Sequence, residues 1–157
     1  MSAKRSAGVL LYREHLGVLE VLLAHPGGPY YDRKPDGGVW SLPKGEPEES
    51  ETDLEAVARR EFTEETGFTV KGSLLNLGTI VQKSGKEVFA WAGRGELDPA
   101  VAKSNLFTLE WPPGSGRIRY YPEVDKVAWC GPAEARVKLR AAQIPFLERL
   151  EAALKKS

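Results

Sequence analysis

Residues 45–68 read GEPEESETDLEAVARREFTEETGF. The second half of this stretch has the pattern of one helix. Thr52 is the expected N-cap, and Glu55 three residues on completes a capping box. Gly67 stands where a helix ends on a residue of positive φ. Residues 53–66 contain no Pro or Gly. On a wheel of about 100° per residue, Leu54, Val57, Ala58 and Phe62 share one side. Glu61, Glu64 and Glu65 fall on that same side, within an arc of about 100°. The opposite side holds Glu55, Ala56, Arg59, Arg60, Thr63 and Thr66.

An amphipathic helix ordinarily turns its carboxylates away from its apolar face. Here three of them point along the edge of the face that should pack. Like charges at i, i+3 and i+4 repel and raise one another's pKa. A bound cation removes the conflict. Hard divalent ions such as Mg²⁺ or Mn²⁺ take oxygen ligands and keep positions for water and phosphate. The plainer alternative is a solvated acidic helix whose glutamates pair with lysines elsewhere. The wheel alone leaves both open.

The literal residues add a resemblance. Arg60-Glu61-Phe62-Thr63-Glu64-Glu65-Thr66-Gly67-Phe68 resembles the second half of the signature of Nudix hydrolases: Arg, Glu, apolar, any, Glu, Glu, any, Gly, apolar. Gly45, followed by five residues and then Glu51, resembles the first half. Eight residues, 52–59, separate Glu51 from Arg60, where the family usually has seven. The extra residue is expected in the turn around 50–53, which leaves the spacing of the 61/64/65 triplet intact. Glu51 then either pairs with Arg60 or reaches the metal site through water, or else it is rotated away.

Composition sets the frame around this motif. A chain of 157 residues points to a single domain, 1–157, with room for a substantial core. Hydrophobic residues are 41% and charged residues 28%, the proportions of ordinary globular material. Formal net charge is zero, which argues against a nucleic acid or an anionic membrane held by bulk charge. Cys130 is the only cysteine, so there is no disulfide framework and no cysteine zinc site. Its place in the apolar run VAWC suits a buried filler. No apolar run approaches transmembrane length. The first residues, MSAKRSAGVLLYR, lack a signal-peptide pattern. A soluble cytoplasmic protein is the expectation.

Outward from the motif, residues 6–13 and 18–24 are β-rich runs with a turn at Gly17. Residues 26–38, PGGPYYDRKPDGG, form a long loop, and its Tyr30, Tyr31, Arg33 and Lys34 are candidates to stack on a base or touch phosphate. Residues 40–42 read as a short strand leading into Pro43-Lys44-Gly45. After the helix, residues 70–82 and 87–92 make a second antiparallel pair. Residues 105–111 are extended, and 117–121 interleave basic and aromatic residues. Residues 124–130 are a last strand. Pro132 starts a helix expected to run to about 142. Pro145 starts the final helix, with Phe146, Leu150 and Leu154 on its apolar side. Strands with helices between and after them make a sheet covered on both faces. This is an α+β class chain, and the resemblance implies the α/β/α sandwich of the Nudix fold: a mixed central sheet flanked by a box helix at about 53–66 and a C-terminal helix.

The resemblance also implies chemistry. Nudix hydrolases cleave a phosphoanhydride in a nucleoside diphosphate linked to another group, using water and divalent metal. Attack on a phosphoryl group needs charge neutralisation and a positioned water more than a covalent nucleophile. Glu61, Glu64, Glu65 and the backbone carbonyl near Gly45 are the implied Mg²⁺ or Mn²⁺ ligands. Glu64 and Glu65 also belong to the catalytic set, and Arg60 orients the glutamates. Lys44, Arg117 and Lys126 are weaker candidates, for phosphate contacts, and Tyr30, Tyr31, Tyr120 and Tyr121 candidates for base contacts. Glu123, just ahead of the strand carrying Trp129, is the candidate carboxylate across the cleft, with Glu87 and Glu96 in reserve. The Pro-Lys-Gly lead-in resembles that of dinucleoside polyphosphate hydrolases, although Glu46 replaces the usual His. This favours a dinucleoside polyphosphate or a related nucleotide such as a nucleoside triphosphate as substrate, with a nucleotide sugar or an inositol pyrophosphate left open by the sequence. The alternative is a catalytically silent Nudix-like module that binds a nucleotide or a regulatory partner.

Overall fold

A computed structural model of the chain describes residues 4–32 and 37–155. Arg33 and Lys34, candidates in the long loop, lie outside the described residues. Strand β1 (Arg5–His15) turns at Leu16–Gly17 into β2 (Val18–Pro26). A two-residue strand β3 (Lys44–Gly45) leads into helix α1 (Leu54–Thr66). Then come β4 (Leu75–Val81), β5 (Glu87–Arg94), β6 (Leu106–Glu110), β7 (Ile118–Pro122) and β8 (Val124–Cys130). Helices α2 (Pro132–Lys138) and α3 (Ile144–Lys155) close the chain.

The main sheet runs β4-β5-β1-β2-β8, with β3 on β1, and β6–β7 form a separate hairpin. It is a mixed sheet. β1 and β5 are parallel, and its other pairs are antiparallel. Apolar side chains on both faces of the central strands explain why β1 and β2 read as continuous runs rather than alternating ones. Ala7, Val9, Leu11, Leu22 and Ala24 pack with Val57, Ala58 and Phe62 of α1. Leu10, Val21 and Leu23 point the other way, against Ala135, Phe146, Leu147 and Leu150 of the C-terminal helices. The expected sandwich is thus observed, with one helical layer on each face.

The site is positioned by a fork in the sheet. β1 pairs with β2 only over residues 12–15, and its earlier half on the same edge takes β3 instead, at Ala7↔Gly45 and Gly8↔Lys44. Val9 N donates to Pro43 O at 3.2 Å, while Ser41 bridges to Ala24 on β2. Gly8 is what lets this wedge close. A Cβ there would overlap Leu42, the Pro43 carbonyl and the Lys44 side chain.

Several local expectations need correction. The N-cap of α1 is Asp53, not Thr52. The Asp53 carboxylate accepts from the Glu55 and Ala56 N–H groups at 3.0 and 3.3 Å. A cap one residue later puts Ala56, not Glu55, at the position a capping box requires. Thr66 faces the core rather than solvent, fully buried, and its hydroxyl donates to Phe62 O at 2.8 Å. Residues 70–74 are irregular, and the strand begins at Leu75. Residues 40 and 41 make only isolated bridges. Helix α2 ends at Lys138, where Leu139 turns extended, rather than near 142. The backbone there pairs with Trp40 instead: Trp40 N donates to Lys138 O, and Arg140 N to Trp40 O.

Candidate active site

Helix α1 lies across the sheet with Val57, Ala58 and Phe62 buried, and the same face carries Glu61. Glu61 is only 6% exposed. It packs on the β3 backbone so closely that a Cβ at Gly45 would overlap its carboxylate. Glycine at 45 is therefore a steric requirement of the glutamate one sheet layer away.

Arg60 ties the carboxylates together. Its Nε donates to Glu51 Oε2 at 2.8 Å and its Nη2 to Glu51 Oε1 at 2.5 Å, a two-pronged pair. Nη1 donates to Glu64 Oε2 at 2.9 Å and lies 3.6 Å from Glu61 Oε1. Ahead of the helix, residues 48–51 form a turn. Glu51 N donates to Glu48 O at 2.9 Å, and Glu48 N donates to the Glu51 carboxylate at 2.8 Å. Glu51 thus meets Arg60 despite the longer spacing, and this pairing holds its carboxyl below the usual range. Arg59 serves a different end, donating to Val70 O and Gly72 O and securing the loop after the helix.

Glu65 and Glu123 line a cavity of about 310 Å³, together with Lys44, Ser41, Gln82, Lys86 and Arg140. Glu123 reaches this wall because its backbone is laced to the end of α1. Glu123 N donates to Asn105 O, Asn105 N donates to Glu64 O, and Gly27 N donates to Glu123 O.

Burial pushes the Glu65 carboxyl up to about 8, reinforced by the charges of Glu61 and Glu123. Burial likewise pushes Glu61 up to about 8, with further contributions from its hydrogen bond to Glu64 and from the Glu64 charge. Glu123 is raised by partial burial and then by Glu64. Lys44 is lowered, first by burial and then by the charge of Lys86. Four carboxylates therefore crowd one edge, and burial with mutual charge raises the carboxyls of Glu61, Glu65 and Glu123.

That crowding fits a divalent cation. The donors are oxygens only, which is the hard-ion preference, and a 2+ charge would reverse the upward shifts. Among the described residues, no three acidic, His or Cys side chains stand close enough to close a coordination shell alone. A Mg²⁺-type ion, which keeps several waters and binds through one or two carboxylates plus phosphate, does not require such a cage.

Of the residues singled out in the sequence, Gly45, Arg60, Glu61, Glu64, Glu65, Lys44 and Glu123 are brought together. Tyr31 stands next to this group, its hydroxyl accepting from Arg140 at 3.5 Å. Tyr30 packs edge-on against Trp111 at 5.1 Å, and Arg117 and Tyr120 ride on the β6–β7 hairpin. These three are not on the cavity wall. Tyr121 packs on Phe107 at 6.0 Å, and Lys126 lies over Trp40 at 5.6 Å. Of the reserves, Glu96 accepts from Arg13 at 2.8 Å and Glu87 begins β5 beside β1. Cys130 is fully buried, its thiol pushed up to about 12 by burial. Lys86 and Arg140 carried no local signal. A lysine in a turn and an arginine after a helix are the commonest of surface residues, and only the fold brings them to the cavity.

Comparison with known proteins gives a consistent result. A family model described as NUDIX domain matches residues 3–150. The chain is 32% identical over 136 residues to the 8-oxo-(d)GTP phosphatase of Mycolicibacterium smegmatis. That match covers 78% of this chain but only 39% of the relative's length. The NUDIX domain of Shewanella oneidensis NrtR, solved with ADP ribose, superposes with a TM-score of 0.70 at 17% identity, covering 98% of this chain and 90% of that one. A C. elegans Ap4A hydrolase superposes with a TM-score of 0.67 at 23% identity, covering 97% and 99%. At these identities the two structures speak to the fold alone.

Proposed function

The chain belongs to the Nudix family, and from that premise we propose that it is a Mg²⁺- or Mn²⁺-dependent pyrophosphohydrolase. Its substrate is a nucleoside diphosphate linked to a further group. The observation that carries the reading is the mutual crowding of Glu61, Glu64, Glu65 and Glu123, of which Glu65 and Glu123 line the cavity, with Glu61 and Glu65 both pushed up to about 8. So costly an arrangement favours catalysis over a silent binding module. The curated relative, an 8-oxo-(d)GTP phosphatase, supports a nucleotide as the substrate.

Glu61, Glu64, Glu65 and the Gly45 carbonyl would share the divalent metal, an ion taking one or two of these carboxylates and completing its shell with water and phosphate. When bound, a divalent ion neutralises phosphate charge and makes water a stronger nucleophile. The chain's own residues do the rest. Arg60 fixes Glu64 through a charged hydrogen bond and is itself fixed by Glu51, so the carboxylates are pre-aimed. Lys44, which lines the same cavity beside Glu65, offers its ammonium to a phosphate oxygen. Glu123 accepts a proton from the attacking water. The water oxygen forms a new bond to phosphorus, the bridging P–O bond breaks, and the bridging oxygen leaves with the second product. The test is release of phosphate or pyrophosphate from a panel of nucleotides, with Mg²⁺ and with EDTA. Turnover of at least one nucleotide that stops in EDTA is expected. Tight nucleotide binding without turnover would make the protein a binding module.

A further inference from the structure

Two cations on the cavity wall have no part in the chemistry above. Lys86 immediately precedes β5, and Arg140 lies between α2 and α3. Both face the cavity that Lys44, Glu65 and Glu123 also line. The three cations come from three separate segments, and each is held by its backbone. Lys44 pairs with Gly8 on β1. Lys86 O accepts from Gln82 N at 2.9 Å. Arg140 N donates to Trp40 O at 2.8 Å, and Arg140 O accepts from Gln143 N at 2.9 Å.

Their side-chain contacts are loose. Lys86 Nζ lies 3.4 Å from Glu46, a glutamate half exposed to solvent. Arg140 Nη2 lies 3.5 Å from the Tyr31 hydroxyl. Both distances exceed the roughly 2.7–2.9 Å of a strong charge-assisted bond. Three like charges gathered on one wall suit an anion whose charge is spread along a chain. A diphosphate held at the carboxylate edge and reached by Lys44 leaves Lys86 and Arg140 unmatched. A sugar at that point would present only neutral hydroxyls to them.

We propose that Lys86 and Arg140 hold a third phosphate beyond the diphosphate being cleaved, so that the preferred substrates carry three or more consecutive phosphates. The proposal rests on the hydrolase reading above for its orientation, but binding tests it separately.

The experiment is calorimetric titration of the protein in EDTA with inorganic tripolyphosphate and, separately, with pyrophosphate. Wild type should bind tripolyphosphate about tenfold more tightly, the scale of one charged hydrogen bond. That preference should vanish in Lys86→Ala and in Arg140→Ala and persist in Lys86→Arg. In kinetics with Mg²⁺, the same alanine variants should raise KM for a nucleoside triphosphate about tenfold with kcat nearly unchanged, and leave a nucleoside diphosphate sugar unaffected. Equal affinity for the two anions in wild type, or an unchanged preference in both alanine variants, overturns the assignment. If Arg140→Ala does not fold, Lys86→Ala in its turn decides the matter. Should no nucleotide be hydrolysed, the catalytic reading fails, while the tripolyphosphate preference still answers for the subsite.

Discussion

Arg60 and Gly45 show how single residues set the site. Arg60 bonds Glu51 on one side and Glu64 on the other, so Glu51 acts by holding the arginine. Glu51→Gln should therefore cost about tenfold in turnover, within the range seen for groups that support a metal site indirectly, and should leave the melting temperature within a few degrees. Wild-type turnover would remove Glu51 from the account. Gly45→Ala should do more damage than its size suggests, because the new methyl takes the space of the Glu61 carboxylate. A drop of about 100-fold in activity is expected, with weaker Mn²⁺ binding by titration. An active variant with wild-type Mn²⁺ affinity would show that Glu61 can move without consequence. The spacing of Glu61, Glu64 and Glu65 was legible because helical periodicity is local. The pairing of Glu51 was not, since one extra residue in a turn can rotate a side chain either way. Lys86 and Arg140 were invisible because their proximity depends on contacts far apart in sequence.

At the scale of elements, α1 is specified by its apolar stripe and its cap. Phe62 is 1% exposed and packs among β1 and β2 side chains, so Phe62→Ala should cost about 3–5 kcal/mol in denaturant unfolding. Asp53→Ala should cost about 1 kcal/mol, whereas Thr52→Ala should change stability little, which directly checks the position of the cap. The helix itself was readable from Leu54, Val57, Ala58 and Phe62. Its first residue was not, because Thr52 and Asp53 are both good N-caps and only the extended backbone of Asp53, at φ −93° and ψ 104°, chooses between them. β1 and β2 were found as apolar runs, but the fork between them that seats Lys44 and Gly45 leaves no periodic trace. Helix α2 ran shorter than expected for a similar reason: at Leu139 and Arg140 the backbone turns to pair with Trp40, a partner about a hundred residues away.

Across the whole molecule, two helical layers clamp a mixed sheet and leave a crowded acidic edge that is costly without a cation. The cost has a pH signature. Glu65 ionises near 4.5 in an unfolded chain but near 8 when folded, so between those values the folded state holds the extra proton. In EDTA, wild type should lose stability relative to Glu65→Gln as pH rises from about 4.5 to about 8, then level off. Mg²⁺ should restore it, more at pH 8 than at pH 6, because binding displaces protons. A pH-independent difference between the two proteins would mean that Glu65 is not buried as described. Among the described residues no helix is long and apolar enough to cross a membrane. The sandwich and its helix order were legible from sequence, while the cavity, assembled from β3, α1, the β4–β5 turn, the β8 entrance and the segment after α2, was legible only in part. The function proposed for this assembly is hydrolysis of a nucleotide phosphoanhydride at its carboxylate helix. The most direct measurement is the steady-state rate of nucleoside triphosphate hydrolysis in Mg²⁺ by wild type and by Glu65→Gln prepared alongside it. A loss of at least about 100-fold is expected in the folded variant. Equal rates in the two proteins would contradict it.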